Sequence, residues 1–292
     1  TSMDAIKPVQ TVVLPCDVSS ISFNTPTSNT TTPVISDPST LSALQKASDL
    51  IQSSSLVVFP TETVYGLAAN ALSPTATSLI FQTKGRPQDN PLIVHISSLS
   101  MLPRLIAPDF QIPPSYKVMM EEFWPGPLTL LFPCNKSVVP REVTAGHDTV
   151  GIRMPSHPVA RALIAMSDLP LAAPSANTSG RPSPTRASHV ADDLQGKVAL
   201  VLDGGPCGVG VESTVVDGLR GDGHVRVLRP GGVTVEDLKR VLKGVKRVRR
   251  DEVEKGNTHG DDGVAYSASL GSKQGGGEAN GDDIKVLEGF KG

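Results

Sequence analysis

The chain of 292 residues lacks the features that mark several classes of protein. Its three cysteines, Cys16, Cys134 and Cys207, lie far apart and form no Cys-x-x-Cys pair, so neither a disulfide framework nor a zinc ribbon is expected. No run approaches the roughly 18 to 20 apolar residues of a membrane span, and no basic region followed by an apolar one opens the sequence. We therefore expect a cytoplasmic protein with buried, reduced thiols and no membrane partner.

The chain is also poor in apolar residues and in net charge. Hydrophobic residues make up 38% of it, below the roughly 45 to 50% of globular chains, which indicates that part of the chain is unpacked. Its formal net charge is −2, and residues 41–245 carry 18 Lys and Arg against 17 Asp and Glu. These values argue against a globally basic nucleic-acid binder and leave a local basic pocket open.

Common nucleotide and catalytic motifs are absent as well. There is no Gly-x-x-x-x-Gly-Lys-Ser/Thr sequence, and the glycines of residues 204–214 lack the Gly-x-Gly-x-x-Gly spacing. There is no His-Glu-x-x-His, no Gly-x-Ser-x-Gly and no paired-histidine metal spacing. Any nucleotide site must therefore be built from other residues, and we expect no metal site formed by the protein alone.

The sequence divides into three parts. Residues 1–40 hold a β-branched run at 11–14, which predicts an edge strand attached to the core, and a Ser/Thr/Pro-rich loop at 19–40. Residues 41–245 alternate between helical and strand periodicity and predict one α/β domain. Residues 246–292 become rich in glycine and acidic residues and predict a linker or flexible tail.

Apolar spacing predicts the elements of the central domain. Helices are expected over residues 41–51, 74–84, 116–123, 158–165, 187–194 and 235–242. Strands are expected over residues 56–59, 92–96, 128–132, 149–153, 171–173, 199–202, 214–216 and 225–228. A Gly-Asp-Gly turn between the last two strands is typical of a hairpin, so we expect a mixed sheet.

Six polar clusters lie at the ends of these predicted strands, where α/β sheets place ligand sites. They occupy residues 60–67, 84–95, 148–158, 173–185, 210–217 and 227–232. Together they supply four cations, several hydroxyls and an asparagine, without a nucleophile that has an activating base. This inventory favours transfer at a phosphorus centre through positioning and charge neutralisation.

Two of these clusters have a structural alternative to ligand binding. Lys84 and Arg86 flank a glycine and could converge on a polyphosphate, or they could be solvated charges at a helix C-terminus. The hydroxyls of residues 60–67 could bind a small polar ligand or only close a strand with a turn. His95 by itself is better explained as a core histidine with satisfied hydrogen bonds.

Two later clusters also leave alternatives open. Arg153 interrupts an apolar strand, so it must meet an anion or water. It could clamp a carboxylate or phosphate, or form an ion pair with Asp148 or Glu142. The small hydroxyls and backbone donors of residues 173–185 are typical of an anion-binding nest.

The ordered clusters resemble those of the YrdC/Sua5 family of threonylcarbamoyl-adenylate synthases. The resemblance covers about residues 41–242 and rests on FPTETVYGL, Lys-x-Arg with PxDNPLIVH, FWPGPLTL, VTAGHDTVGIRMP, APSAN, RPSPT, GVEST and LRPG. It implies a twisted, open, mixed α/β sheet whose flanking helices form a concave, positively charged cavity. The implied reaction converts L-threonine, bicarbonate and ATP to threonylcarbamoyl-AMP and pyrophosphate, for N6-threonylcarbamoyladenosine modification of tRNA.

The resemblance also implies a role for each matching residue. Threonine would be held by Thr63, His95, Arg153, Ala173 and Ser213. ATP would be contacted by Arg86, Asn90, Thr149, Ser175, Asn177, Ser183 and Arg229. Lys84 and Arg86 would be catalytic, offsetting the charge that develops on the phosphates. Magnesium would arrive with ATP, because these motifs hold few acidic residues.

The implied partner is the machinery that transfers the threonylcarbamoyl group to tRNA. Sua5-type members add a Pro-Gly-Met-Lys-Tyr-x-His-Tyr-like segment and a further C-terminal domain, which are not found before Gly292. We expect either a YrdC-like single-domain form or a Sua5-type chain that ends before that domain. An alternative function is a double-stranded RNA- or tRNA-binding module without catalysis, against which the near-neutral charge weighs.

Overall fold

The computed structural model describes residues 9–24, 32–220, 222–245 and 284–288. The helices of this part of the chain are α1 (Pro38–Gln52), α2 (Pro74–Lys84), α3 (Pro114–Phe123), α4 (Arg141–Thr144), α5 (Pro158–Ser167), α6 (Ala187–Leu194) and α7 (Val235–Leu242). Its strands are β1 (Val12–Pro15), β2 (Ile21–Phe23), β3 (Pro33–Ile35), β4 (Val57–Phe59), β5 (Gly66–Asn70), β6 (Ile93–His95), β7 (Leu128–Pro133), β8 (Thr149–Arg153), β9 (Leu171–Ala172), β10 (Leu200–Asp203), β11 (Thr214–Asp217), β12 (Val225–Arg229) and β13 (Val286–Glu288).

Eleven of these strands form one mixed sheet with the order β1-β10-β4-β5-β9-β6-β8-β7-β11-β12-β13. The pairs β6–β8 and β7–β11 are parallel, whereas β7–β8 and β11–β12 are antiparallel. The predicted mixed sheet and the predicted hairpin between the strands near 214 and 225 are therefore confirmed. The run at 11–14 also forms an edge strand as predicted, with Val12 opposite Leu200 of β10 in a parallel pair.

The sequence of α2 explains where this helix begins and ends. The Ser73 hydroxyl accepts a hydrogen bond from the Ala76 amide at 3.2 Å, and Pro74 starts the helix, where a missing N–H costs nothing. The helix ends at Gly85, whose φ of 61° lies in the left-handed region. A residue with a side chain would destabilise the fold there by about 1 kcal/mol relative to glycine. Gly85 therefore turns the chain sharply between Lys84 and Arg86.

Aromatic packing fixes β7, which carries part of the site. The ring of Phe132 meets the edge of Tyr116 with centroids 5.2 Å apart, and that contact is worth about 0.5–1.5 kcal/mol beyond burial alone. The Tyr116 hydroxyl donates to the Leu131 carbonyl at 2.8 Å and accepts from the Gly218 amide at 2.9 Å. Helix α3 is thus tied both to β7 and to the chain that follows β11.

Three parts of the structure differ from the predicted elements. Within the predicted loop at 19–40, β2 and β3 pair antiparallel as a separate hairpin, and α1 starts at Pro38. Strand β5 was missed because its small residues are buried on both faces and show no alternation. Within the predicted tail, β13 pairs parallel with β12. The rest of that tail, residues 246–283 and 289–292, lies outside the described residues, and the domain boundaries stay predictions.

The cysteines agree with the expected free thiols. Cys16 and Cys134 are buried, Cys207 is half-buried, and none is in a disulfide within the described residues. Burial raises the pKa of Cys16 to about 12, with Asp203 and Asp37 adding to the shift, so this thiol stays protonated. Across the same residues, no helix is both long and apolar enough to span a bilayer.

Candidate functional site

A cavity of about 850 Å³ lies across one face of the central strands. Alternate residues of several strands line it, such as Thr129 and Leu131 of β7 or Gly151 and Arg153 of β8. Side chains two apart on a strand share a face, so the cavity covers a sheet surface as well as strand ends. Its volume falls within the roughly 300–1,000 Å³ of small-molecule pockets.

The cavity brings together ten of the thirteen predicted site residues. These are Thr63, Arg86, Asn90, His95, Thr149, Arg153, Ala173, Ser175, Ser213 and Arg229. Lys84, Asn177 and Ser183 are not among the lining residues, although the Ser183 hydroxyl donates to Glu212, which is one of them. The assignment of individual residues to threonine or to ATP stays a prediction at all thirteen positions.

Arg153, at the end of β8, is held by three different acceptors. Its guanidinium donates to the Gly126 carbonyl at 3.2 Å, to the Thr63 hydroxyl at 2.9 Å and to the Glu62 carboxylate. The side chains of Arg153 and Glu62 are only 4% and 14% exposed, so this ion pair is largely removed from water. The geometry therefore fixes the guanidinium firmly at the cavity wall.

The suggested ion pair of Arg153 with Asp148 or Glu142 was wrong. Asp148 precedes β8, at the opposite end from Arg153, and it pairs with Lys136 on the surface. Five strand residues span roughly 17 Å, too far for a direct contact between the two ends. The true partner, Glu62, lies in the turn after β4, and its carboxylate within the cluster at 60–67 was the available signal.

The turn after β4 closes the strand, as one of its two interpretations predicted. The Thr61 hydroxyl accepts from the amides of Thr63 and Val64 at 3.2 Å each and donates to the Val64 carbonyl at 2.7 Å. This is a side-chain turn that closes the strand. It also places the fully buried Thr63 hydroxyl against Arg153, so the structural interpretation is confirmed and the ligand-binding interpretation stays a prediction.

His95 is at once a buried histidine and part of the cavity wall. It is 3% exposed, and its Nδ1 lies 3.2 Å from the Ile93 carbonyl. Burial, followed by the charge of Arg153, lowers the pKa of His95 to about 3. The imidazole is therefore neutral near pH 7, so it can donate or accept a hydrogen bond without adding charge.

Two neighbouring parallel strands form a hydroxyl pair that the sequence analysis missed. The Oγ1 of Thr129 on β7 lies 2.7 Å from the Oγ of Ser213, just before β11, and both residues are buried. Arg229 donates to the Ser213 carbonyl at 2.8 Å and to its Oγ at 3.1 Å. A threonine within the apolar run LTLLF was the available signal for this pair.

Arg86 and Arg229 both line the cavity, whereas Lys84 does not. Arg86 donates to the Asn90 side chain at 2.6 Å and to the Pro91 carbonyl at 2.9 Å. Burial lowers the pKa of Arg86, and the nearby Arg229 lowers it further. The ammonium of Lys84 instead donates to the carbonyls of Ser175 and Asn177. The left-handed Gly85 sends the two cations of the Lys-x-Arg pair into different surroundings.

The lining as a whole is rich in arginine. It contains Arg86, Arg153, Arg220 and Arg229 against one carboxylate, that of Glu212. Glu212 accepts a hydrogen bond from the Ser183 hydroxyl, and this bond, with Arg229 adding to it, lowers the pKa of its carboxyl. Guanidinium groups suit phosphate oxygens because their donors are paired in a plane. The sequence analysis missed His147 and Arg220 as lining residues, and it included Thr61 and Glu212 in its polar clusters without giving either a role.

The segment that forms this cavity matches a known protein family. The model for Sua5, YciO and YrdC proteins, described as "Telomere recombination", matches residues 49–231, which include every lining residue. The chain is 52% identical over 199 residues to the threonylcarbamoyl-AMP synthase of Bacillus subtilis, covering 68% of this chain and 56% of that protein. It is 47% identical over 257 residues to that of Schizosaccharomyces pombe, covering 79% and 62%.

A solved structure gives the same result for the fold. The crystal structure of Pyrococcus abyssi Sua5 complexed with L-threonine matches with a TM-score of 0.68 and 42% identity, covering 82% of this chain and 62% of that one. The chain therefore spans between 56% and 62% of the length of these relatives. The family model nevertheless covers more than half of the chain, and the predicted resemblance is confirmed. The chain belongs to the Sua5/YciO/YrdC family.

Proposed function

We propose that the chain is a nucleotidyltransferase that makes threonylcarbamoyl-AMP and pyrophosphate from L-threonine, bicarbonate and ATP. The observation that carries the proposal is the convergence of ten predicted residues, from separate stretches of the sequence, on one cavity. The relatives named threonylcarbamoyl-AMP synthase support it at 47% to 52% identity. The double-stranded RNA- or tRNA-binding alternative without catalysis is not favoured, because those relatives carry the name of an enzyme.

The threonine would lie beside Arg153. Among the five residues expected to hold it, Arg153 is the only cation, because His95 is neutral near pH 7. The amino-acid carboxylate would therefore face this guanidinium, which Glu62 and Thr63 already orient. The Pyrococcus abyssi relative was crystallised with L-threonine, which supports this substrate class.

The nucleotide would lie on the side of Arg86 and Arg229. The threonine amine and bicarbonate would combine to a carbamate with loss of water. A carbamate oxygen would then attack the α-phosphorus of ATP, and pyrophosphate would leave with the electrons of the broken P–O bond. The two guanidinium groups would offset charge on the phosphates, and the Ser175 and Thr149 hydroxyls would orient them.

The donor set fits a magnesium ion that enters with ATP better than a resident metal. Glu212 is the single acidic residue of the lining, and the described residues hold no group of three or more His, Cys, Asp or Glu placed for a metal. Magnesium typically uses one or two carboxylates together with substrate phosphates. The tRNA threonylcarbamoyl-transfer machinery, direct RNA binding and a cytoplasmic location stay predictions.

The proposal is tested by product formation. The purified protein should release pyrophosphate from ATP only when threonine and bicarbonate are both present, and mass spectrometry should detect threonylcarbamoyl-AMP. Arg86→Ala and Ser175→Ala should reduce the yield. Lys117→Ala, which removes an exposed cation on α3 away from the cavity, should leave the yield unchanged. Pyrophosphate release without threonine, or none from the wild-type protein, would refute the reaction.

A further inference from the structure

Lys84 is a buried cation whose acceptors all lie on the chain that follows β9. The residue is 2% exposed, and its ammonium donates to the backbone carbonyls of Ser175 and Asn177. The side-chain oxygen of Asn177 lies 3.4 Å from the same nitrogen. A buried ammonium with its donors turned to protein carbonyls is poorly placed to meet a phosphate. The Lys84 ammonium therefore binds the chain that follows β9.

That chain makes an excursion from the sheet over residues 177–182, here called the 177–182 loop. Both of its ends are tied to Tyr65: the Ala176 amide donates to the Tyr65 carbonyl, and the Tyr65 amide donates to the Pro184 carbonyl, each at 2.8 Å. Within the loop, the Asn177 side chain donates to the carbonyl of Arg181 at 2.7 Å. The excursion is therefore a closed loop with a fixed base.

Asp193 of α6 holds the same loop from another side. Its carboxylate accepts from the Thr178 amide at 2.6 Å and from the Thr178 hydroxyl at 2.8 Å, and it pairs with Arg181 at 3.2 Å. The Asp193 side chain is only 10% exposed, although α6 lies at the surface. Burial lowers the pKa of Lys84 to about 8, with Arg86 adding to the shift and Asp193 opposing it. The opposite charges that hold the loop therefore also act on each other.

The loop connects two parts of the cavity wall. The Ser179 amide donates to the Lys84 carbonyl at 2.9 Å, which fixes the end of α2 just before Arg86. The Lys84 ammonium fixes the Ser175 carbonyl, and Ser175 lines the cavity. Lys84 therefore links the two segments. Its backbone carbonyl binds the loop next to Arg86, and its side chain binds the carbonyl of Ser175.

We propose that Lys84 and Asp193 are positioning residues for the nucleotide part of the cavity. They hold the 177–182 loop from two helices, and the loop sets the distance between Arg86 and Ser175. This assignment rests on the proposed function, which supplies the ATP roles of those two residues. It replaces a direct catalytic role for Lys84 and gives a role to Asp193, which does not line the cavity.

The test is the affinity for ATP, measured by calorimetry on Lys84→Met, Asp193→Ala and the double variant. Each single change should weaken ATP binding about tenfold, as expected for the loss of charge-assisted hydrogen bonds. The double variant should be no weaker than the more damaging single one, because both act on one loop. Threonine affinity should stay within about twofold of the wild type, since Arg153 and Thr63 lie on other elements.

Controls separate positioning from general damage. Asp192→Ala removes the exposed neighbouring carboxylate of α6 and should leave ATP binding unchanged. Asp193→Asn keeps an acceptor for Thr178, so it should lose less affinity than Asp193→Ala, and it gives the readout if the alanine variant fails to fold. Hydrogen exchange at residues 175–182 should become faster in Lys84→Met and Asp193→Ala, whether or not the protein completes the reaction.

Three results would overturn the proposal. Asp193→Ala could bind ATP like the wild type while Lys84→Met does not, which would mean that Lys84 contacts the nucleotide itself. The two losses could add in the double variant, or threonine affinity could fall as much as ATP affinity. A wild-type protein that binds ATP and makes no threonylcarbamoyl-AMP would instead refute the proposed reaction and leave the comparison of variants intact.

Discussion

Replacing Glu62 with glutamine tests how the cavity holds its buried arginine. The change removes the charge that faces Arg153, whose side chain is 4% exposed, and keeps a similar shape. Breaking a buried ion pair by neutralising one partner costs about 3–5 kcal/mol. Glutamine still offers one acceptor oxygen, and Arg153 keeps the Gly126 carbonyl and the Thr63 hydroxyl. We therefore expect a loss of about 2–3 kcal/mol in the free energy of unfolding.

Thermal and denaturant unfolding measure this loss directly. For a folded unit of about 200 residues, the expected loss lowers the melting temperature by about 4–12 °C. Added L-threonine should raise the melting temperature of Glu62→Gln more than that of the wild type, because its carboxylate would supply the missing negative charge. Asp148→Asn is the control, since it breaks the exposed pair with Lys136 and should change little. A melting temperature of Glu62→Gln equal to that of the wild type would refute the reasoning.

Two further predictions concern groups in the cavity wall. Because the pKa of His95 is lowered to about 3, the unfolded chain binds more protons between about pH 3 and pH 6.5, so stability should fall as the pH falls through this range. His95→Gln should flatten that slope by up to about 1.4 kcal/mol per pH unit in pH-dependent denaturation, and an unchanged slope would contradict the assignment. Thr129→Val should cost about 1–2 kcal/mol, because it removes one of the two hydrogen-bond partners of the buried Ser213 hydroxyl and leaves only Arg229. Thr129→Ser should retain most of the stability in the same measurement, and equal losses in the two variants would argue against the hydroxyl pair.

The sequence predicted the elements of the central domain well wherever the apolar pattern was periodic. Strands β7 and β8 and helix α5 were predicted because their apolar residues are large and regularly spaced. Strand β5 was missed because Gly-Leu-Ala-Ala-Asn has no alternation when both faces are buried. The β2–β3 hairpin was missed because a Ser/Thr-rich stretch can still pair its few apolar residues against a helix. An alternating apolar pattern appears when one face of a strand is buried. Neither β5 nor the β2–β3 hairpin shows such a pattern.

The candidate site was predicted in its residue types, and less well in its contacts. Spacing along the chain placed Lys84 and Arg86 side by side, yet the two charges on either side of the left-handed Gly85 bind different partners, and only Arg86 lines the cavity. The partner of Arg153 lies far away in sequence, so only the packing of β8 against the turn after β4 identifies Glu62. Motifs therefore predicted which groups meet, and the backbone decided which of them face the cavity.

The acceptors that hold the arginines suggest how one cavity could suit two different ligands. Arg86 and Arg229 donate to backbone carbonyls and an amide oxygen, and among the described residues neither forms an ion pair, although the charge of Glu212 also acts on Arg229. Arg153 is fixed by a carboxylate, so its surroundings are close to neutral overall. In the proposed function the first pair would face the polyanionic phosphates, and the balanced pair would face threonine, whose own charges sum to zero at neutral pH. The matching of net charge to ligand thus follows from whether each guanidinium is held by a dipole or by an ion.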